Sequence, residues 1–217
     1  IISPQLCEGP MIKQPEEGEI WEWRAFGPVS KKLSDMVHSY PVRLALINVG
    51  GEDLYFVSPN SDHNVKVRKY DDRWILKFKL LLDSASDGPE LYNESGALTY
   101  SFPVGPDQVA LAADLLRVRL DSEPRSNLGP EEFTRALEQA SPSVKSAQVK
   151  KVRSQFEFES GWLELAHVQF VKHHTQSISI HSPDKTSVEH MRARLAPGDS
   201  LEVMNYVEAC RKWALQY

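Results

Sequence analysis

Apolar and polar residues alternate in steps of two along much of this chain, and shorter stretches with a 3.6-residue period interrupt the alternation. Glu19 to Phe26 (EIWEWRAF) is aromatic-rich and alternating, which predicts a strand ended by Gly27-Pro28. Ser30 is placed to cap a short helix with Leu33, Met36, Val37 and Tyr40 on its apolar face, and Pro41 stops it. Strands are predicted over Val42–Val49 and Leu54–Val57, with Gly50-Gly51 as the turn between them. Asn64–Tyr70 and Trp74–Leu82 read as a hairpin turned at Asp71-Asp72. Gly88–Ser95 and Ala97–Phe102 are weaker strand candidates.

Pro106 opens a helix carrying Val109, Ala112, Ala113 and Leu116 on one face. After a linker over 121–129, Pro130 opens another, with Glu131 and Glu132 in its first turn and Phe133, Ala136, Leu137 and Ala140 on its apolar face. Strands resume at Gln148–Glu159, Trp162–Phe170 and Gln176–His181, and helices over 184–195 and 202–215 follow. Residues 1–18 hold three prolines without a period and read as a flexible arm, leaving 19–217 as one domain. Strands interrupted by single helices, without regular β–α alternation, predict an α+β fold with an antiparallel sheet.

Charge changes the picture of these strands. Residues two apart share a face. Lys66 and Arg68 therefore lie together, as do Lys77 and Lys79, Glu22 and Arg24, and Lys151, Arg153, Gln155 and Glu157. Glu164 sits between Leu163 and Leu165, and Ser179 and His181 oppose Ile178 and Ile180. A half-buried sheet turns its polar face to water as a rule. Yet five amphipathic helices need an apolar surface to cover, and like charges facing each other across strands cost stability. A sheet curved into a barrel, with helices packed outside and cations inside, gives the helices their surface, and a guest or internal acids would then have to offset the converging charges. Of 25 bases in the chain, seven lie on these faces: Arg24, Lys66, Arg68, Lys77, Lys79, Lys151 and Arg153. The remaining 18 stand against 30 acids, so positive charge would be concentrated in the interior of an acidic protein. Buried cations need an anionic guest, water or internal carboxylates, and a polyphosphate meets that need through Arg forks and Lys point charges.

The formal charge of −5 argues against nucleic-acid binding by bulk charge. No apolar run approaches the roughly 18 residues of a membrane span, and no charged-then-apolar leader opens the chain, so a cytoplasmic location is expected. Cys7 and Cys210 lie far apart and define neither a disulfide framework nor a metal site. There is no Gly-x-Ser-x-Gly elbow and no phosphate-binding Gly-Lys-Ser loop. His173-His174 reads as a polar loop, and Trp21, Trp23 and Trp74 as packing beneath helices rather than a base-stacking platform.

In sequence order, several segments resemble the CYTH superfamily, the triphosphate tunnel metalloenzymes. Glu22-Trp23-Arg24 is similar to the end of the family's Glu-x-Glu-x-Lys motif, with Ile20 at the first glutamate and Arg24 at the lysine. Val65-Lys66-Val67-Arg68 and Leu76-Lys77-Phe78-Lys79 resemble its paired basic strands, Lys151-Val152-Arg153 a later basic strand, and Trp162-Leu163-Glu164-Leu165 an acidic one. Ser177 to Ser182 resembles a late acidic strand in which His181 replaces a glutamate, Ala166 stands where a second acid could follow Glu164, and Asn205-Tyr206 is similar to the entry to the last helix. The resemblance implies a triphosphate-tunnel barrel in which the seven bases hold phosphate oxygens. Glu22, Glu164 and His181 would help hold Mg²⁺ or Mn²⁺, with Glu157 as a further candidate. It leaves two activities open, metal-dependent hydrolysis of a triphosphate or binding of a polyphosphate or nucleotide without turnover. An interaction scaffold with solvent-facing charges is a third reading. In the first two, the partner is an anionic phosphate-containing small molecule.

Overall fold

A computed structural model describes residues 18–39, 43–70, 73–84, 88–121, 126–158 and 160–215. The arm assigned to 1–18 therefore lies outside it except for Gly18, as do Tyr40, Asp71-Asp72 and the middle of the 121–129 linker. The described elements, in order, are β1 (Glu19–Phe26), α1 (Lys31–Ser39), β2 (Arg43–Ser58), β3 (Ser61–Tyr70), β4 (Arg73–Asp83), β5 (Glu90–Asn93), β6 (Thr99–Ser101), α2 (Pro106–Leu115) and α3 (Pro130–Ala140). Then come β7 (Lys145–Phe158), β8 (Gly161–Phe170), β9 (His173–Ser182), α4 (Lys185–Leu195), β10 (Glu202–Val203) and α5 (Tyr206–Trp213).

Eight strands run β1-β5-β4-β3-β2-β7-β8-β9, every neighbouring pair antiparallel, and β9 returns to β1 to close the ring. The short β10 and β6 attach to β1 and β4. Closure removes open sheet edges and gives every strand an inside and an outside. The α+β class and the antiparallel barrel expected from the alternation are the observed architecture.

The outward parity is apolar, as the alternation predicts, and helices cover it. Phe56, Val65, Val67, Leu76 and Phe78 pack under α2 and α3, where Phe133 meets Phe56 and Phe102 edge-to-face at 5.5 and 5.7 Å. Trp23, Ala25, Phe156, Leu163, Ile178 and Ile180 pack under α1 and α4. Ser30 Oγ accepts from the backbone N–H of Leu33, the cap expected for α1. Burying side chains of this size stabilises by about 1.5–3 kcal/mol each. No helix among the described residues is long and apolar enough to cross a membrane.

The fifth helix is placed differently. On the inward parity, one end of the barrel is apolar: Phe26, Tyr55, Val57, Ala147, Val149, Ala166, Val168 and Phe170 form a single cluster with Tyr206, Val207, Cys210 and Trp213 of α5. Helix α5 therefore closes that end of the lumen, and its first turn forms a floor. Ala166, standing where a second acid could follow Glu164, belongs to this apolar end.

Four expectations need correction. Gly50-Gly51 does not turn the chain; both lie inside β2 and pair with Val152 and Lys151, so two predicted strands are one. A Cβ at either glycine would meet nothing within 4 Å, and the strand's register shifts fall just before them, between Leu44 and Val49. His173 and His174 are strand residues of β9, with the His173 ring stacked on Trp213 at 4.5 Å. The helix predicted over 202–215 starts only at Tyr206, because Asn205 accepts from the N–H groups of Val207 and Glu208 while Glu208 accepts from the Asn205 N–H. Finally, Glu157 is exposed and lies outside the cavity described next.

Candidate anion-binding site

Above the floor laid by α5, the inner faces of the strands enclose a cavity of about 340 Å³. Arg24, Lys66, Arg68, Lys77, Lys79, Lys151 and Arg153 all line it. The alternation groups these residues pairwise; closure of the ring brings the pairs together from β1, β3, β4 and β7. Lys66 and Lys77 sit directly opposite each other in register, an arrangement unfavourable on its own. Arg24, Lys66, Lys79 and Lys151 are each less than a tenth exposed, whereas Lys77 and Arg153 form a wetter rim.

Four carboxylates offset part of this charge. Asp53, fully buried, is a hub that sequence reasoning missed. It accepts from Arg68 Nε and Nη2 at 2.5 and 2.8 Å, and stands 2.7 Å from Lys151 Nζ and 3.7 Å from Lys66 Nζ. The Tyr55 hydroxyl accepts from Lys66 and Lys151 at 3.3 and 3.0 Å, and donates to Asp53 at 3.4 Å. Glu22 is bonded to Arg24 Nε at 2.6 Å and to Lys79. Glu164 takes Arg24 Nη1 at 3.5 Å, Arg153 Nη1 at 3.2 Å and Gln155 Nε2 at 3.0 Å. Glu94 lies 3.8 Å from Lys77 and 3.6 Å from Lys79. From α5, the Tyr206 ring sits beneath Lys151 Nζ at 3.9 Å and Arg24 Cζ at 4.5 Å.

The signal for Asp53 was present: Asp53, Tyr55 and Val57 share a parity, but the supposed turn at Gly50-Gly51 hid the strand that carries them. Glu94 follows a short strand with no pattern of its own, and Tyr206 looked like one more apolar helix position.

Burial opposes charge throughout the site, and the partners decide the balance. At Glu22 burial is overcome by Lys79, Arg24 and His181, which hold the carboxyl well below its usual range. At Asp53 burial is likewise overcome by Lys151, Lys66 and Arg68, and at Glu164 by Arg24 and Arg153, which take it down to about 2. Burial wins at Lys66 despite Asp53, with Arg68, Lys151 and Lys77 adding to it, so its ammonium is pushed well below the usual lysine value. Lys151 is lowered in the same way, burial outweighing Asp53. Counted at formal charge, seven cations meet four carboxylates, an excess of three that the lowering of Lys66 and Lys151 reduces. That excess, in a site where burial already strains the ammonium groups, is complementary to a multiply charged anion.

A divalent ion is a poorer match. Among the described residues, no three His, Cys, Asp or Glu side chains are grouped so as to hold one. Glu22 and Glu164 share Arg24 between them. His181 stacks flat on Trp162 at 4.7 Å, and its Nε2 is tied to Ser179 Oγ at 2.8 Å. Its Nδ1 makes no hydrogen bond and faces Glu22 Oε2 at 3.5 Å, an oxygen Lys79 already holds. Burial lowers the imidazole to about 4 despite Glu22, so it is neutral near pH 7. His181 Nδ1 is free to ligate, but every carboxylate oxygen of Glu22 and Glu164 is already held by Arg24, Lys79 or Arg153, so the three together fit a resident Mg²⁺ or Mn²⁺ poorly.

The closed eight-stranded antiparallel barrel, with helices packed outside and a charged lumen, is the architecture that the sequence resemblance implies. The chain is similar to the PH1012 protein from Pyrococcus horikoshii OT3, with a TM-score of 0.52 and 16% identity over 86% of this chain and 98% of that one. It is also similar to HpAC1 from Hippeastrum, an adenylyl cyclase candidate described as having a dominant triphosphatase activity. There the TM-score is 0.52 and the identity 14%, over 91% and 97% of the two chains. At such identities the likeness is one of fold. No protein-family model and no curated protein matches the chain by sequence.

Proposed function

We propose that this protein binds a polyphosphate anion of about triphosphate size in the basic lumen of its barrel. The observation that carries the reading is the convergence of seven cations from four strands on one cavity, where they outnumber the four carboxylates. Its volume lies at the small end of ligand pockets, which run ~300–1,000 Å³. A compact, highly charged guest suits it better than a large apolar one. Arg153 offers a guanidinium and Lys77 an ammonium at the rim, Arg68 adds charge while its fork holds Asp53, and Lys66, Lys79 and Lys151 offer point charges deeper down.

A second reading, hydrolysis of the same ligand, is favoured by the activity described for HpAC1. It would need a way to neutralise charge developing on the phosphoryl oxygens, and the cations themselves are placed to do that.

Thermal unfolding with and without tripolyphosphate tests binding, and stabilisation by the ligand is expected. The double change Lys66→Ala with Arg68→Ala should weaken binding at least about tenfold, since each charged hydrogen bond contributes about 1.5–3 kcal/mol. Arg153→Ala, at the wetter rim, perturbs the fold less and should weaken binding in the same direction. Unchanged affinity in both variants would remove the site from this cavity. Phosphate release measured with Mg²⁺, Mn²⁺ or EDTA then separates binding from turnover.

A further inference from the structure

We infer that the lumen takes its polyphosphate free of divalent metal, and that Mg²⁺ or Mn²⁺ competes with the protein for the ligand instead of assisting its binding. This rests on the polyphosphate reading above and concerns the form of the ligand.

The carboxylates are the groups that would recruit a hard cation. Three of them are hydrogen-bonded to cations, and the fourth, Glu94, stands within 4 Å of two lysines. Asp53 holds Arg68 in a two-pronged pair and Lys151 at 2.7 Å. Glu22 holds Arg24 and Lys79, Glu164 holds Arg24 and Arg153, and Glu94 lies against Lys77 and Lys79. The decisive residue is Arg24. Its guanidinium occupies the space between Glu22 and Glu164, the two acids a metal would have to share. It is fixed there from other sides as well, donating to Ser177 Oγ at 3.4 Å and lying over the Tyr206 ring. A buried guanidinium with so many contacts does not swing aside without cost, and it cannot lose its proton.

The ligand side of the balance points the same way. A divalent ion on tripolyphosphate cancels two of its negative charges and occupies phosphate oxygens that the protein's donors would otherwise meet. Bringing the same ion into a lumen with excess positive charge adds repulsion from Arg24, Lys79 and Arg153. Both effects weaken the complex, so metal and protein draw on the same oxygens.

Isothermal titration of tripolyphosphate into the full chain, at matched ionic strength, reads this directly. In EDTA the ligand should bind. With Mg²⁺ in excess over the ligand, the apparent Kd should rise about tenfold or more. Tighter binding with Mg²⁺, or binding seen only with it, overturns the inference while leaving the polyphosphate reading in place. No binding in either arm overturns the polyphosphate reading, and this inference falls with it. A separate measurement uses the metal alone: Mn²⁺ titrated into the protein and followed by its paramagnetic resonance signal should remain free, and stoichiometric binding would refute the claim.

Discussion

Asp53→Asn removes a negative charge from the centre of the lumen while nearly preserving the side chain's shape. In the native protein that carboxylate answers three cations: Arg68 through two hydrogen bonds, Lys151 at 2.7 Å and Lys66 at 3.7 Å. The amide leaves one carbonyl oxygen, and its NH₂ must face either the Arg68 fork or Lys151, donor against donor. Breaking a buried pair by removing one partner costs about 3–5 kcal/mol. One escape lowers the figure: Lys66, already pushed down by burial, can shed its proton and relieve the crowding. For a chain of this length each kcal/mol is worth ~2–4 °C, so the melting temperature should fall by about 6–20 °C if Lys66 keeps its proton, and by less if it sheds it. A phosphate group entering the lumen supplies the negative charge that the variant has lost, so tripolyphosphate should raise the melting temperature of Asp53→Asn more than that of the native protein. Differential scanning fluorimetry with and without ligand reads both quantities. A loss under about 1 kcal/mol, or an equal ligand-induced shift in both proteins, would refute the view that Asp53 is a counter-anion for the binding cations.

Two further outcomes can be checked. Glu22, Asp53 and Glu164 have folded-state pKa values held below the ordinary carboxylate range, Glu164 at about 2, so their stabilisation is complete above roughly pH 5 and is lost as pH falls through the folded values. Urea midpoints should therefore drop steadily between about pH 5 and pH 2, and a flat profile over that window would sink the assignment of these pairs as stabilising. Cys210, fully buried on the barrel-facing side of α5 and pushed up to about 12 by burial against the opposing pull of Lys151, should resist an aromatic disulfide reagent in a Cys7→Ser background until the protein unfolds. Tripolyphosphate should slow its labelling further, because the ligand rests on the floor that α5 provides; labelling at the rate of a free thiol would show that the helix does not close the barrel.

The pairing of cations was legible in the chain because a strand's side chains alternate with strict period two. Lys66 with Arg68, Lys77 with Lys79 and Lys151 with Arg153 could be placed on common faces without any knowledge of neighbours. The same rule placed Trp23, Val67 and Phe78 on the opposite, apolar face, and helices with apolar stripes implied that this face was the covered one. The prediction of an inward-facing basic surface followed from local geometry plus the need to bury apolar area.

What local geometry could not reach were the contacts between residues far apart in sequence. Asp53 lies 15 residues from Arg68 along the chain and 98 from Lys151, and its role exists only because β2 stands between β3 and β7 in the ring. The Gly50-Gly51 pair looks locally like a turn; pairing to Val152 and Lys151 of β7 overrides that preference. Helix α5 has an apolar face like its four companions, and its period carries no hint that it seals an end of the lumen rather than covering the outer wall. The acids expected to await a metal are likewise ordinary in sequence, and it is ring closure that sets Arg24 between Glu22 and Glu164. Periodicity therefore settled which way each side chain points, because that depends on one strand's own backbone. Which charges meet was decided by the order of strands around the barrel, because an ion pair depends on distances that only the closed ring defines.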